Sequence, residues 1–132
     1  MSPDKEKELI DIYPDLFSGL DERSCMHLFG FECHDGWFEL LKKLIHQIKE
    51  ICESAQFKDS LVINDVPMGV KVEQVKEKFG TLRFYTNFHN ECVEKLIDEA
   101  CAASEVTCEK CGEAGTLGAK GYWISVRCPA CK

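Results

Sequence analysis

The chain ends in Cys108, Cys111, Cys128 and Cys131, a C-x2-C-x16-C-x2-C pattern. Two thiolate pairs on tight turns close a tetrahedral S4 shell around one Zn2+, with no position left for water. Such a site folds its segment and does not perform chemistry. The residues between the pairs suffice for a short hairpin, and Gly112, Gly115, Gly118 and Gly121 fall where knuckles and turns bend. The rivals to one structural zinc per chain are a disulfide pair and a redox dithiol. Nine cysteines, an odd number, disfavour a fully paired disulfide framework.

At 132 residues the chain has room for one domain, or one domain plus a mini-module. No apolar run is long enough to span a bilayer, and Met1-Ser2-Pro3-Asp4-Lys5-Glu6 lacks the layout of a signal peptide. Together with the quartet, this predicts a reducing cytoplasm and no membrane. The net charge of -7 is uneven. Residues 1–24 carry seven acids against three bases and residues 87–107 five against one. Residues 70–86 and 108–132 each carry four bases against two acids. An acidic chain is repelled by phosphate backbones, which argues against bulk nucleic-acid binding. A local basic face for a small anion survives that objection.

Ser2-Pro3 reads as a helix start, with Pro14 ending or kinking the helix. Residues 18–34 read as irregular, with Leu20, Leu28, Phe29 and Phe31 tucked inward. Asp35 is expected to cap a long helix whose inner stripe is Trp37, Leu41, Leu44, Ile48, Ile51 and Ala55. Leu61-Val62-Ile63 reads as a short strand stopped by Asn64, Asp65 and Pro67. Val70–Lys78 and Thr81–Thr86 read as a hairpin around Phe79-Gly80, and a bulge near Gln74 reconciles the parity of Val70 and Val72 with that of Val75. Asn90 caps a third helix with Val93, Leu96, Ile97, Ala100, Cys101 and Ser104 inward. Tyr122–Val126 is the strand of the terminal ribbon.

The hairpin gathers Lys76, Lys78, Arg83 and Tyr85, with Gln74 in the same run and Trp37 available if the helix packs beneath the sheet. Cations beside aromatics suit a phosphate or carboxylate and a stacked base. The plainer alternative is an edge strand protected by lysines. Cys52 and Cys101 read as buried thiols, His46 as a solvated helix residue and His89 as a local cap. Cys25-x-His27 and Cys33-His34 match no strong ligand pattern, and Asp65, Glu73 and Lys76 only loosely outline an acid-acid-lysine arrangement.

Asp35-Gly36-Trp37-Phe38-Glu39-Leu40-Leu41, the run Val75–Tyr85, Cys108-Glu109-Lys110-Cys111-Gly112 and Trp123–Cys131 together resemble a family of small, uncharacterised proteins of bacteria and their phages. The resemblance covers roughly residues 29–131 and implies a compact cytosolic protein with a terminal zinc ribbon. It carries over no catalytic residue.

The expected fold is α+β, with helices packed on a small antiparallel sheet. It divides into an acidic helical extension (1–28), a core (29–107) and a docked zinc ribbon (108–132). The expected function is a non-catalytic, zinc-stabilised binding protein of phage or prophage type in the bacterial host's cytoplasm. It would engage a host protein or a small nucleotide-like anion, with interference in host defence as the wider role, and could form a homo-oligomer. Two alternatives stay open: a metal-dependent or cysteine-based enzyme acting on nucleotides or nucleic acid, and a transcription-related zinc-ribbon adaptor.

Overall fold

Pro3 has its φ fixed and no amide hydrogen to lose, and it opens α1 (Pro3–Ile12) directly after an extended Ser2. Pro14 then begins a 3-10 turn, Pro14–Leu16, so the first helix ends where the sequence predicts. The computed structural model describes residues 1–54, 62–63, 66–67, 69–87 and 90–132. Ala55, Leu61, Asn64, Asp65 and His89, which entered the sequence reading, lie outside the described residues.

Residues 18–34 hold more order than expected. Ser24 caps α2 (Cys25–Phe29), its Oγ accepting the His27 amide at 3.1 Å, and β1 (Phe31–Glu32) follows. Phe31 is buried as anticipated, but Leu28 and Phe29 are 57% and 62% exposed. Their short helix turns them outward while Met26 takes the core position.

A 3-10 turn, Asp35–Trp37, leads into α3 (Phe38–Glu53), which buries Phe38, Leu41, Leu44, Ile45, Ile48 and Cys52 on one stripe. Asp35 makes no side-chain cap on this helix. Its Oδ1 instead accepts the Ser2 amide at 2.7 Å, which holds the Asp35 carboxyl below the usual carboxylate range. That bond, with Glu6 Oε1 accepting the Phe31 amide at 3.1 Å, ties α1 to the segment before α3. Leu9, Leu16 and Met26 share one continuous core with α3 and the sheet. Residues 1–28 thus contribute Leu9, Leu16 and Met26 to the core.

β2 (Val62–Ile63) pairs antiparallel with β3 (Val66–Pro67), so β2 ends at Ile63 and Pro67 is the last residue of the next strand. The main sheet has the order β1-β4-β5: β4 (Val72–Lys78) and β5 (Thr81–Thr86) form the hairpin, and β1 adds parallel to β4. Val72 opposes Thr86 and Gln74 opposes Tyr85, so Glu73 is the extra residue of the expected bulge. It lets Val72 and Val75 both face the core. Phe79 (φ 53°) and Gly80 (φ 85°) are both left-handed, the pattern of a two-residue turn matched to strand twist.

Asn90 caps α4 (Glu91–Ser104), its Oδ1 accepting the Cys92 and Val93 amides at 2.9 and 3.2 Å. α4 lies along β5, the sheet's outer strand. Leu82 presents both backbone groups to it: its amide donates to Ser104 Oγ at 3.0 Å, and Cys101 Sγ donates to its carbonyl at 3.1 Å. The apolar helix face thus carries two polar atoms placed for an unpaired strand edge. The chain closes with a second hairpin, β6 (Thr116–Lys120) and β7 (Trp123–Arg127), and a 3-10 turn, Pro129–Cys131. The α+β class and the terminal ribbon are as the sequence predicts.

Candidate metal centre and its docking seam

The four Sγ atoms of Cys108, Cys111, Cys128 and Cys131 lie within 4.8 Å of one another. A metal–sulfur bond of about 2.3 Å sets a tetrahedral S–S edge of about 3.8 Å, so these positions suit one ion. Each pair sits on a knuckle closed by the backbone: Gly112 N donates to Cys108 O at 2.9 Å and Cys131 N to Cys128 O at 3.1 Å. Burial pushes the Cys108 thiol up, but backbone amides of Cys128, Cys111 and Lys110 outweigh it and bring it down to about 6. Amides aimed at sulfur favour the thiolate, the form a metal requires. The donor set contains no histidine, carboxylate or open position. Among the described residues this is the one group of three or more potential ligands; Cys25, His27, Cys33 and His34 assemble no second group.

The first knuckle is pressed against the core. Gly36 N donates to Glu109 O at 2.7 Å, and a Cβ on Gly36 would overlap the carbonyl oxygens of Cys108 and Glu109. Only glycine allows backbone this close to backbone. Glu109 is 4% exposed: its Oε2 accepts the His34 amide at 3.0 Å and its Oε1 pairs with Arg127 at 3.5 Å. Trp37 Nε1 donates to Thr107 O at 3.0 Å, completing the seam. The ribbon also meets the core hairpin at Gly80, where a Cβ would collide with Leu117. Glu77, on β4 beside this turn, leaves Oε2 buried without a hydrogen-bond partner. Burial, reinforced by the Glu109 charge, holds its carboxyl above the usual range.

The register places Gln74 opposite Tyr85, Lys76 opposite Arg83 and Lys78 opposite Thr81. Directly opposed residues share a face, so the cations and the tyrosine are brought together on one side of the sheet. Among the described residues no carboxylate pairs with Lys76, Lys78 or Arg83. Glu32 stands on the same face and is held by Gln74 Nε2 at 3.4 Å. Trp37 does not join this face. Its ring is fully buried in the core and its single polar atom is committed to Thr107, so it has no surface to offer a ligand.

Gln74 and Tyr85 also border a groove of about 1000 Å³, where they meet Asp21, Glu73, Glu94 and Asp98. Lys71 reaches from its rim to the Asp15 carbonyl and fastens the loop after α1. Cys33 and Cys52 are buried, which pushes their thiols up to about 12 and about 11. No local pattern in the sequence marks Gly36 or Glu109 as seam residues. Their roles depend on contacts 70 residues or more away in the chain, such as His34 to Glu109 at a separation of 75. No helix among the described residues is long and apolar enough to cross a membrane. No family model matches this chain, and no curated protein or solved structure matches it either.

Proposed function

We propose that this chain is a zinc-stabilised, non-catalytic binding protein whose sheet face grips a small, nucleotide-like anion. Four clustered cysteine sulfurs suit Zn2+, and a closed S4 shell would give the ion a structural role. The observation that carries the ligand reading is the opposition of Lys76 and Arg83 with Lys78 beside them, free of carboxylate partners among the described residues. Tyr85, 46% exposed on the same face, takes the stacking role first expected of Trp37.

Titration calorimetry with ATP and with inorganic triphosphate tests this. Lys76→Glu and Arg83→Glu are expected to abolish the heat while zinc content stays at one per chain. No heat with either probe, or heat unchanged in both variants, overturns it.

A protein partner is a second reading, favoured by the exposed Leu28 and Phe29 beside a groove of about 460 Å³. In a phage-type protein, capture of a host protein or of a nucleotide-like ligand would interfere with host defence. Under this reading Phe29→Asp removes a co-purifying protein and leaves ATP binding intact.

A further inference from the structure

We propose a second binding site on the ribbon, for a short stretch of single-stranded nucleic acid, with one base stacked on Trp123 and neighbouring phosphates on Lys120 and Lys132. In the β6–β7 hairpin Thr116 opposes Arg127, Gly118 opposes Ser125 and Lys120 opposes Trp123. These six residues share one face. The face borders a groove of about 530 Å³ that Lys132 also lines. The other face is turned to the protein, where Val126 is fully buried and Leu117 and Ile124 meet Gly80. The groove is thus the outer side of an element held rigid by its knuckles and its seam.

Three features of the groove point to one ligand chemistry. Trp123 is 67% exposed and Tyr122, at the adjoining turn, is fully exposed. The fold gains nothing from leaving an indole in water, whereas a base gains a stacking platform. Gly118 is the second feature. It has no left-handed φ, and a Cβ there would meet nothing within 4 Å, so neither conformation nor packing within this chain calls for glycine. A strand glycine with open space above it suits close approach of a ligand. With Ser125 opposite, it makes a flat floor beside the indole.

Charge is the third feature. Lys120, Arg127 and Lys132 line the groove and no Asp or Glu side chain does, whereas four acidic side chains line the groove of about 1000 Å³ beside Gln74 and Tyr85. Arg127 is engaged with Glu109, which leaves Lys120 and Lys132 to reach phosphates. The chain's net charge of -7 limits the contact to a few nucleotides and disfavours a duplex. This site is separate from the sheet face and does not depend on it.

The test uses the full, zinc-loaded chain and a short oligothymidylate. Trp37 is fully buried, so quenching of tryptophan emission reports on Trp123. The expected result is saturable quenching that weakens with salt, with a log–log slope of roughly -0.7 for each phosphate contacted. By anisotropy of labelled oligonucleotide, Trp123→Ala should weaken binding about ten-fold or more. Lys120→Glu with Lys132→Glu should weaken it at low salt while zinc content is kept. Lys76→Gln with Arg83→Gln should leave it within about two-fold. The proposal is overturned by no anisotropy change at low salt, by equal loss in the Lys76/Arg83 variant, or by equal affinity for oligoglutamate. It is also overturned if sedimentation shows that Trp123 serves a dimer and oligothymidylate leaves that dimer intact.

Discussion

The amide of Gly36 donates to the carbonyl of Glu109 at 2.7 Å, joining the turn before the longest helix to the first metal knuckle. The contact leaves no space for a side chain, because the Cys108 and Glu109 carbonyls occupy the place of a Cβ. Gly36→Ala should therefore cost about 2–4 kcal/mol, since backbone on both sides resists repacking. Gly118→Ala, with open space around it, should be near neutral. Urea denaturation of the two variants side by side checks the contrast. Equal stability would mean the seam opens without cost.

Removal of the metal should loosen the seam before it unfolds the core. Cys128→Ser or a strong chelator is expected to take bound zinc well below one per chain. It should also perturb Trp37 emission, because the indole donates to Thr107 at the base of the ribbon. Leu9, Leu41, Ile48 and Val75 belong to a cluster that includes none of the four ligands. Far-ultraviolet dichroism should accordingly keep most of its helical signal.

The bracket on Leu82 gives a sharper stability prediction. Ser104→Ala leaves the Leu82 amide buried without an acceptor, at a cost of about 1–3 kcal/mol. Cys101→Ser keeps a donor for the Leu82 carbonyl and should be close to neutral. Amide exchange at Leu82 should accelerate in the first variant only.

Glu77 sets a pH dependence whose sign follows from its burial. A carboxyl raised above its usual range binds its proton more tightly in the folded protein than in the unfolded chain. Its ionisation thus costs stability, fully above the folded-state pKa and not at all below the ordinary one. Glu77→Gln should stabilise the protein at about pH 7.5, and the gain should shrink towards about pH 5. Denaturation midpoints at the two pH values decide it; a gain that grows on acidification refutes the assignment.

Thiol labelling should separate the nine cysteines. In the metal-loaded protein Cys92, exposed near the start of α4, should react first. Cys33 should be among the slowest, since burial pushes its thiol up to about 12. A chelator should add the four ribbon thiols to the reactive set and leave Cys33 and Cys52 silent.

The elements that local pattern controls were legible in the sequence. The bulge followed from the parity conflict between Val72 and Val75, the α4 cap from Asn90, and the ribbon from cysteine spacing. Elements governed by distant partners were not. Asp35 has the chemistry of a helix cap, yet the Ser2 amide takes its carboxylate. Periodicity puts Trp37 on the helix's apolar stripe without saying what it touches. It stands instead in the 3-10 turn before α3, fully buried with its indole committed to the Thr107 carbonyl, which removes it from the sheet-face site and leaves that face to Lys76, Arg83 and Tyr85. Leu28 and Phe29 show the converse: apolar residues that the sequence turned inward stand in water because α2 spans only five residues and buries Met26 alone.

The pairing of Leu82 with Ser104 and Cys101 also bears on how this protein can meet other chains. A strand from a second molecule joining the sheet beside β5 would find both backbone groups of Leu82 already taken and a helix in its path. Strand addition along that margin is thereby opposed at Leu82. Recognition on this side of the molecule is left to side chains on the faces, where its cations and aromatic rings are displayed.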